Sequence, residues 1–314
     1  MIKRFYFAAF AAAALMGCNE RMDQMPQNAS DEVNVTVSVP MTGTKTVGPA
    51  LEDEVNSLQI IVFNKYGVFE NSSYAEGSSL TLTCTTGDKV IAALVNAPHE
   101  EGVGTLDALN GRSFDLDVIS ETGLVMYGTM SATLTADIEV KVPVTRIPAR
   151  ILLNKVTPDF IQPQHQALSF EVSAVYLINV AGDASYDGLW TPEKWYNLGE
   201  ADESSPEFLY DAAVTTRMMS APVQEPYETP HHFYCLPNNT NTKTRLVIEA
   251  LIGDRTYYYP ITLEEVESNK SYSYNVTLRH LGTDSPDQPL EYGDVDFALE
   301  VTPWIEVKTD DVIL

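Results

Sequence analysis

Cysteine is nearly absent from this 314-residue chain, which holds only Cys18, Cys84 and Cys235. That excludes a disulfide-stapled scaffold and a cysteine-rich zinc module, both of which need several closely spaced cysteines. Basic residues are scarce too: 19 Lys and Arg stand against 44 Asp and Glu, a net charge of −25. With no basic patch to meet phosphates, nucleic acid is excluded as a partner, and the acidic surface reads as solvated and self-repelling. Beyond the first residues no apolar run is long enough to span a bilayer.

Catalytic signatures are missing as well. There is no Gly-x-Ser-x-Gly elbow, no His-Glu-x-x-His and no phosphate loop ending in Gly-Lys-Ser/Thr. Gly102-Val103-Gly104 starts like a dinucleotide loop, but Asp107 stands where a third glycine is needed. The five histidines include the neighbours His231 and His232, whose rings point to opposite faces of a strand and read as surface or interface residues. Asp115 with Asp117, and Asp294 with Asp296, each put two carboxylates on one strand face, short of the six or more oxygens that calcium takes. The expectation is a protein that is not an enzyme, with no cofactor and no metal.

What is present begins with an address. Lys3 and Arg4 precede the apolar run Phe5 to Leu15, which ends in Leu15-Met16-Gly17-Cys18, the form of a secretory signal closing on a lipobox. Residues 1–17 are therefore expected to be removed and Cys18 to carry lipid, holding the chain on a membrane far better than a single acyl chain would. Residues 18–31 read as a polar tether.

The pattern then becomes that of an all-β protein. Val33, Val35, Val37 and Val39 alternate with polar residues, which puts four valines on one face of a strand that ends at Pro40. A turn-rich loop carrying one basic residue, Lys45, leads to LQIIVF at residues 58–63, a near-continuous apolar run suited to a central strand. Residues 64–73 read as a loop, Thr105 as the cap of a helical turn, and 134–144 as one alternating strand. A boundary near Ile147-Pro148 divides residues 32–147 from 148–314. The second part holds further strands, a long Trp-, Tyr- and acid-rich excursion from Gly182 to Pro230 with a short helix at 206–212, and a Pro- and Asp-rich linker. Its terminal segment, 294–314, alternates through Leu299 and Val301 to Trp304, Ile305 and Val307. Cys84 and Cys235 fall in opposite parts and are expected as two buried thiols.

Two strands near the chain ends suggest a mechanical role. A cut in the loop after Val39 would release the valine strand and leave an open sheet edge over an apolar groove, which strand addition from another chain relieves. The terminal segment would be the donor, and a groove at one end with a strand at the other gives a heterologous interface that builds filaments. Taken alone, however, the pattern favours two ordinary terminal strands in a monomer.

Nearly the whole chain resembles the FimA/Mfa-type fimbrillins of Bacteroidales in the order of LQIIVFNKYG, GDKVIAALVNAP, VTRIPARILLNKV, FYCLPNN, RTYYYPITL, NKSYSYNVTLRHLGTDSP and VTPWIEV behind the lipobox. The resemblance implies two transthyretin-like β-sandwich domains in tandem. It also implies an outer-membrane lipoprotein precursor, loss of the first strand to a protease, and polymerisation with other pilin subunits into a type V pilus that contributes to adhesion to host or bacterial surfaces. Where stalk subunits of the family carry arginine at the processing point, this chain has Lys45 followed by Thr46. Retention of the strand would make it an anchor subunit. A tip adhesin, or a surface lipoprotein that captures glycan through Trp190, Trp195 or Tyr196, are the alternatives.

Overall fold

The computed structural model describes residues 31–40, 52–120, 122–211, 225–290 and 295–303. The described chain is nearly all β-structure, with a one-turn helix at Leu106–Asn110 that Thr105 caps by accepting the Ala108 N–H at 3.1 Å. No described helix is long and apolar enough to cross a membrane.

In the first half a five-stranded sheet is the middle layer. Its order runs Phe69–Glu76, Ser57–Asn64, Gly87–Val95, Met126–Leu134 and Thr145–Arg146. Because side chains alternate along a strand, Leu58, Ile60 and Val62 enter one core while Ile61 and Phe63 enter another. Ser57–Asn64 is thus apolar on both faces, which is what its unbroken hydrophobic run encodes. One face is covered by a three-stranded sheet of Ser79–Thr85, Glu32–Ser38 and Ile138–Lys141. The other packs on Leu109, Phe114, Leu116 and Ile119.

The second half is a sandwich of two four-stranded sheets. One is ordered His231–Cys235, Ala149–Pro158, Lys270–Leu278, Val295–Pro303; the other Tyr210–Asp211, Phe170–Ile178, Arg245–Ile252, Arg255–Thr262. Register shifts between Leu153 and Lys155 and between Val172 and Ala174 break the strict alternation, so Ile151 and Leu153 are followed inward by Val156, and Val172 by Val175. The sheets change at residues 147–148, since Thr145–Arg146 still pairs with Met126–Tyr127 while Ala149–Pro158 opens the second set. The apolar core does not change there. One cluster runs from Phe63 and Leu94 through Phe114 to Tyr186, Phe233 and Tyr274, and the Phe114 and Tyr186 rings stack with centroids 5.5 Å apart.

Several local expectations need correction. Residues 64–73 are not one loop, because Phe69–Glu76 is an edge strand whose polar sequence faces solvent on both sides. The segment 134–144 is divided by a turn between Met126–Leu134 and Ile138–Lys141. Where a helix was expected at 206–212, the described residues form a 3₁₀ turn, Glu207–Leu209, followed by the short strand Tyr210–Asp211. Asp117 lies in a 3₁₀ turn after the Ser113–Asp115 strand, so the two carboxylates do not share a strand face. His231 is not a surface residue: it is buried, with Nδ1 2.8 Å from an Asp211 carboxylate oxygen and Nε2 2.6 Å from the Tyr227 hydroxyl.

Candidate functional site

The valine strand occupies a slot rather than an edge. Glu32–Ser38 runs antiparallel to Ser79–Thr85 on one side and parallel to Ile138–Lys141 on the other. Sequence alone pictured one open edge after its loss; the geometry gives two, facing each other across a gap one strand wide. Val35 and Val37 are 0% exposed, and Val33 and Val39 are buried. Their neighbours in the core include Leu80, Leu82 and Cys84 from one flank, Val140 from the other, and Ile60 and Ile91 from the sheet beneath. The outward face is polar, with the Asn34 N–H donating to Asp137 Oδ1 at 2.8 Å and Thr36 bonded to Thr81 hydroxyl to hydroxyl at 2.8 Å.

Cys84 is directly opposite Val33. Its thiol is free and buried, and burial, aided by the Glu70 carboxylate, pushes its pKa up to about 11 despite Lys89 nearby. Cys235 is also free and buried, pushed up to about 12 by burial. The two thiols are therefore as the sequence suggested. Cys18, Lys45 and Thr46 lie outside the described residues, as do Trp304, Ile305 and Val307.

The chain re-enters the described fold at Glu52 and is clamped there. Glu52 is 2% exposed and accepts Arg150 Nη1 at 2.7 Å and the Tyr234 hydroxyl at 2.8 Å. Arg150 Nε also donates to Ser271 Oγ at 3.1 Å, and Asp53 pairs with Arg146. The far end of the Lys45 loop is thereby fastened to the junction of the halves. Arg150→Met removes the guanidinium 2.7 Å from the buried Glu52 carboxylate, so urea unfolding should show a loss of roughly 3 kcal/mol. A loss below about 1 kcal/mol, the scale of an exposed pair, would contradict that role.

Val295–Pro303 is the edge strand of its sheet and pairs antiparallel with Lys270–Leu278. Ala298 to Thr302 are exposed at every position, and Leu299 and Val301 are each 44% exposed. From Ala298 to Thr302 the strand is paired through its backbone while its side chains are exposed. Trp195–Tyr196 pairs with Val180–Ala181, and Trp190 is held by Asp183, whose strand Asp183–Ser185 pairs with Ser113–Asp115 of the first half. Among the described residues no group of three or more His, Cys, Asp or Glu could hold a metal ion.

No protein-family model matches the chain, and no curated protein matches it significantly. Solved structures do. A candidate cell adhesion protein of Bacteroides eggerthii DSM 20697 superimposes with a TM-score of 0.67 at 20% identity, over 88% of this chain and 97% of the other. The fimbrilin FimA of Porphyromonas gingivalis W83 gives 0.63 at 16% identity, over 88% and 98%. The chain has a fimbrillin fold. The tip fimbrial protein Mfa3 of Porphyromonas gingivalis, C-terminally truncated, gives 0.55 at 13% identity, over 87% and 100%. Each match spans 87–88% of this chain, so the shared fold extends over both halves described above.

Proposed function

We propose that this chain is a structural subunit of a cell-surface fimbria. In this reading it is exported as a lipoprotein held at the outer membrane through Cys18, and it polymerises once the loop at Lys45-Thr46 is cut and the Glu32–Ser38 strand leaves. The terminal strand of one copy fills the slot of the next. Residues 32–147 and 148–314 act as tandem β-sandwich units, with 294–314 as the donor segment. One observation carries the proposal: the Glu32–Ser38 strand, its valines buried, lies between Ser79–Thr85 and Ile138–Lys141, and a second strand of matching alternation lies exposed at an edge. The solved fimbrial proteins of the same fold support it.

The chemistry is that of β-augmentation. Two facing rows of unpaired N–H and C=O groups and an uncovered apolar floor bind any strand that alternates apolar and polar residues. Groove and donor lie on different surfaces, so each union leaves another groove and another donor, and the assembly grows without closing. Its test is lysine-specific digestion of the chain from residue 19, read by intact mass and negative-stain microscopy. Filaments should appear only after a cut at Lys45. Persistent monomer after a complete cut overturns the proposal. Protection of Lys45 favours the second reading, an anchor subunit that keeps its strand, which the lysine in place of the usual arginine supports.

A further inference from the structure

A cleft of about 180 Å³ opens between three loops of the second half, Gly188 to Trp190, Pro237 to Asn239 and Glu265 to Ser268. Pockets for drug-sized ligands run to roughly 300–1,000 Å³, so this one has room for a single ring. Its walls are held from behind. Asp183, buried at 4% exposure, accepts Trp190 Nε1 at 2.7 Å and the backbone N–H groups of Glu193 and Lys194 at 2.9 Å each. Gly182 beside it admits no side chain, since a Cβ there would stand 2.8 Å from Lys194 Cβ. Asn238 spends its NH₂ on Thr242 O at 2.8 Å and Thr244 Oγ1 at 3.0 Å, and its carbonyl accepts Thr240 N–H at 3.0 Å. Two backbone bonds between Asn238 and Val266, 2.9 and 3.0 Å, join the second wall to the third.

That bonding decides what the cleft can offer a ligand. The one polar atom of Trp190 is taken by Asp183, so the indole presents only apolar ring surface. The side chains of Asn239, Glu265 and Ser268 make no hydrogen bond among the described residues, leaving an amide, a carboxylate and a hydroxyl unspent. Apolar ring surface beside a few convergent polar groups is the chemistry that recognises a pyranose, whose C–H face packs on an aromatic ring while its hydroxyls bond to amide and carboxylate. Glu265 and Glu267 at the rim, on a chain of net charge −25, repel an acidic sugar. Trp195 and Tyr196 are not among the lining residues.

We propose that this cleft binds an uncharged hexose at the end of a glycan. Polymerisation and this site are separable, because neither the slot nor the edge strand contributes a lining residue. The test is saturation-transfer NMR on the chain from residue 19 with galactose, mannose, fucose, N-acetylglucosamine and N-acetylneuraminic acid. Transfer is expected to at least one of the four uncharged sugars and not to N-acetylneuraminic acid. Trp190→Ala should weaken binding by about tenfold or more. That variant also strips Asp183 of a donor, so the double variant Asn239→Ala/Glu265→Ala, two exposed side chains without partners, supplies the arm that leaves folding intact and should weaken binding to a similar degree. No transfer to any uncharged sugar, preference for the acidic one, or unchanged binding in the double variant overturns the proposal.

Discussion

Cutting the Lys45 loop and removing the Glu32–Ser38 strand should raise the alkylation rate of Cys84 by at least about 100-fold, a factor equivalent to roughly 2.7 kcal/mol of opening free energy. Two effects act together. The strand covers the thiol, since Val33 lies directly opposite Cys84. Burial also keeps the pKa near 11, so almost no thiolate exists at pH 8. With the strand gone, water reaches the slot, the pKa falls toward the ordinary value of about 8.5, and both access and thiolate fraction rise. Cys235 is the internal control: its burial does not involve the strand, so its reactivity should stay low. In filaments a donor strand restores the cover and Cys84 should become unreactive again. Intact mass after a short maleimide pulse reads all three states. Equal labelling before and after the cut would mean that the strand does not leave.

The double substitution Leu299→Asp/Val301→Asp should abolish filament growth while lowering the thermal midpoint of the monomer by no more than about 4 °C, the shift that ~1 kcal/mol produces in a chain of this size. In the monomer both residues sit on an edge strand, each 44% exposed, so a carboxylate there stays in contact with water. In the slot the same positions would take the place of valines as deeply buried as Val35 and Val37. Burying an unpaired carboxylate costs several kcal/mol per site, enough to remove detectable assembly. Filaments from the double variant would show that another segment is the donor. A collapse of the monomer midpoint would show that the edge strand belongs to the core.

Sequence showed the strand pattern wherever one face is buried and the register is regular. Val33 to Val39 is the clearest case, and the run from Leu58 to Phe63 announced a strand buried on both faces by lacking alternation. Phe69–Glu76 escaped because an edge strand with polar residues on both sides carries no period-two signal. The bulges after Leu153 and Val172 shift the inward series by one residue, a detail that strict alternation does not foresee. The pairing of the valine strand was hidden for another reason. Its partners, Ser79–Thr85 and Ile138–Lys141, are far off in the chain, and nothing in an alternating strand states whether it will be central or terminal. Sequence likewise gave no sign of the Glu52 clamp, a contact across 98 positions made by single charged residues without a motif. Adjacency placed His231 and His232 on opposite faces of a strand, but not which face is the core; burial shows that His231 is the inward one.

A covalent trap between copies tests strand exchange most directly. Single cysteines placed at Leu299, Val301 or Ile305 in a Cys235→Ala background would be digested at Lys45, allowed to assemble and mildly oxidised. The account predicts a ladder of disulfide-linked oligomers from at least one position, absent without digestion and absent when Cys84 is replaced by serine. Filaments that give no ladder from any of the three positions, or a ladder that forms equally well before the cut or without Cys84, would contradict it.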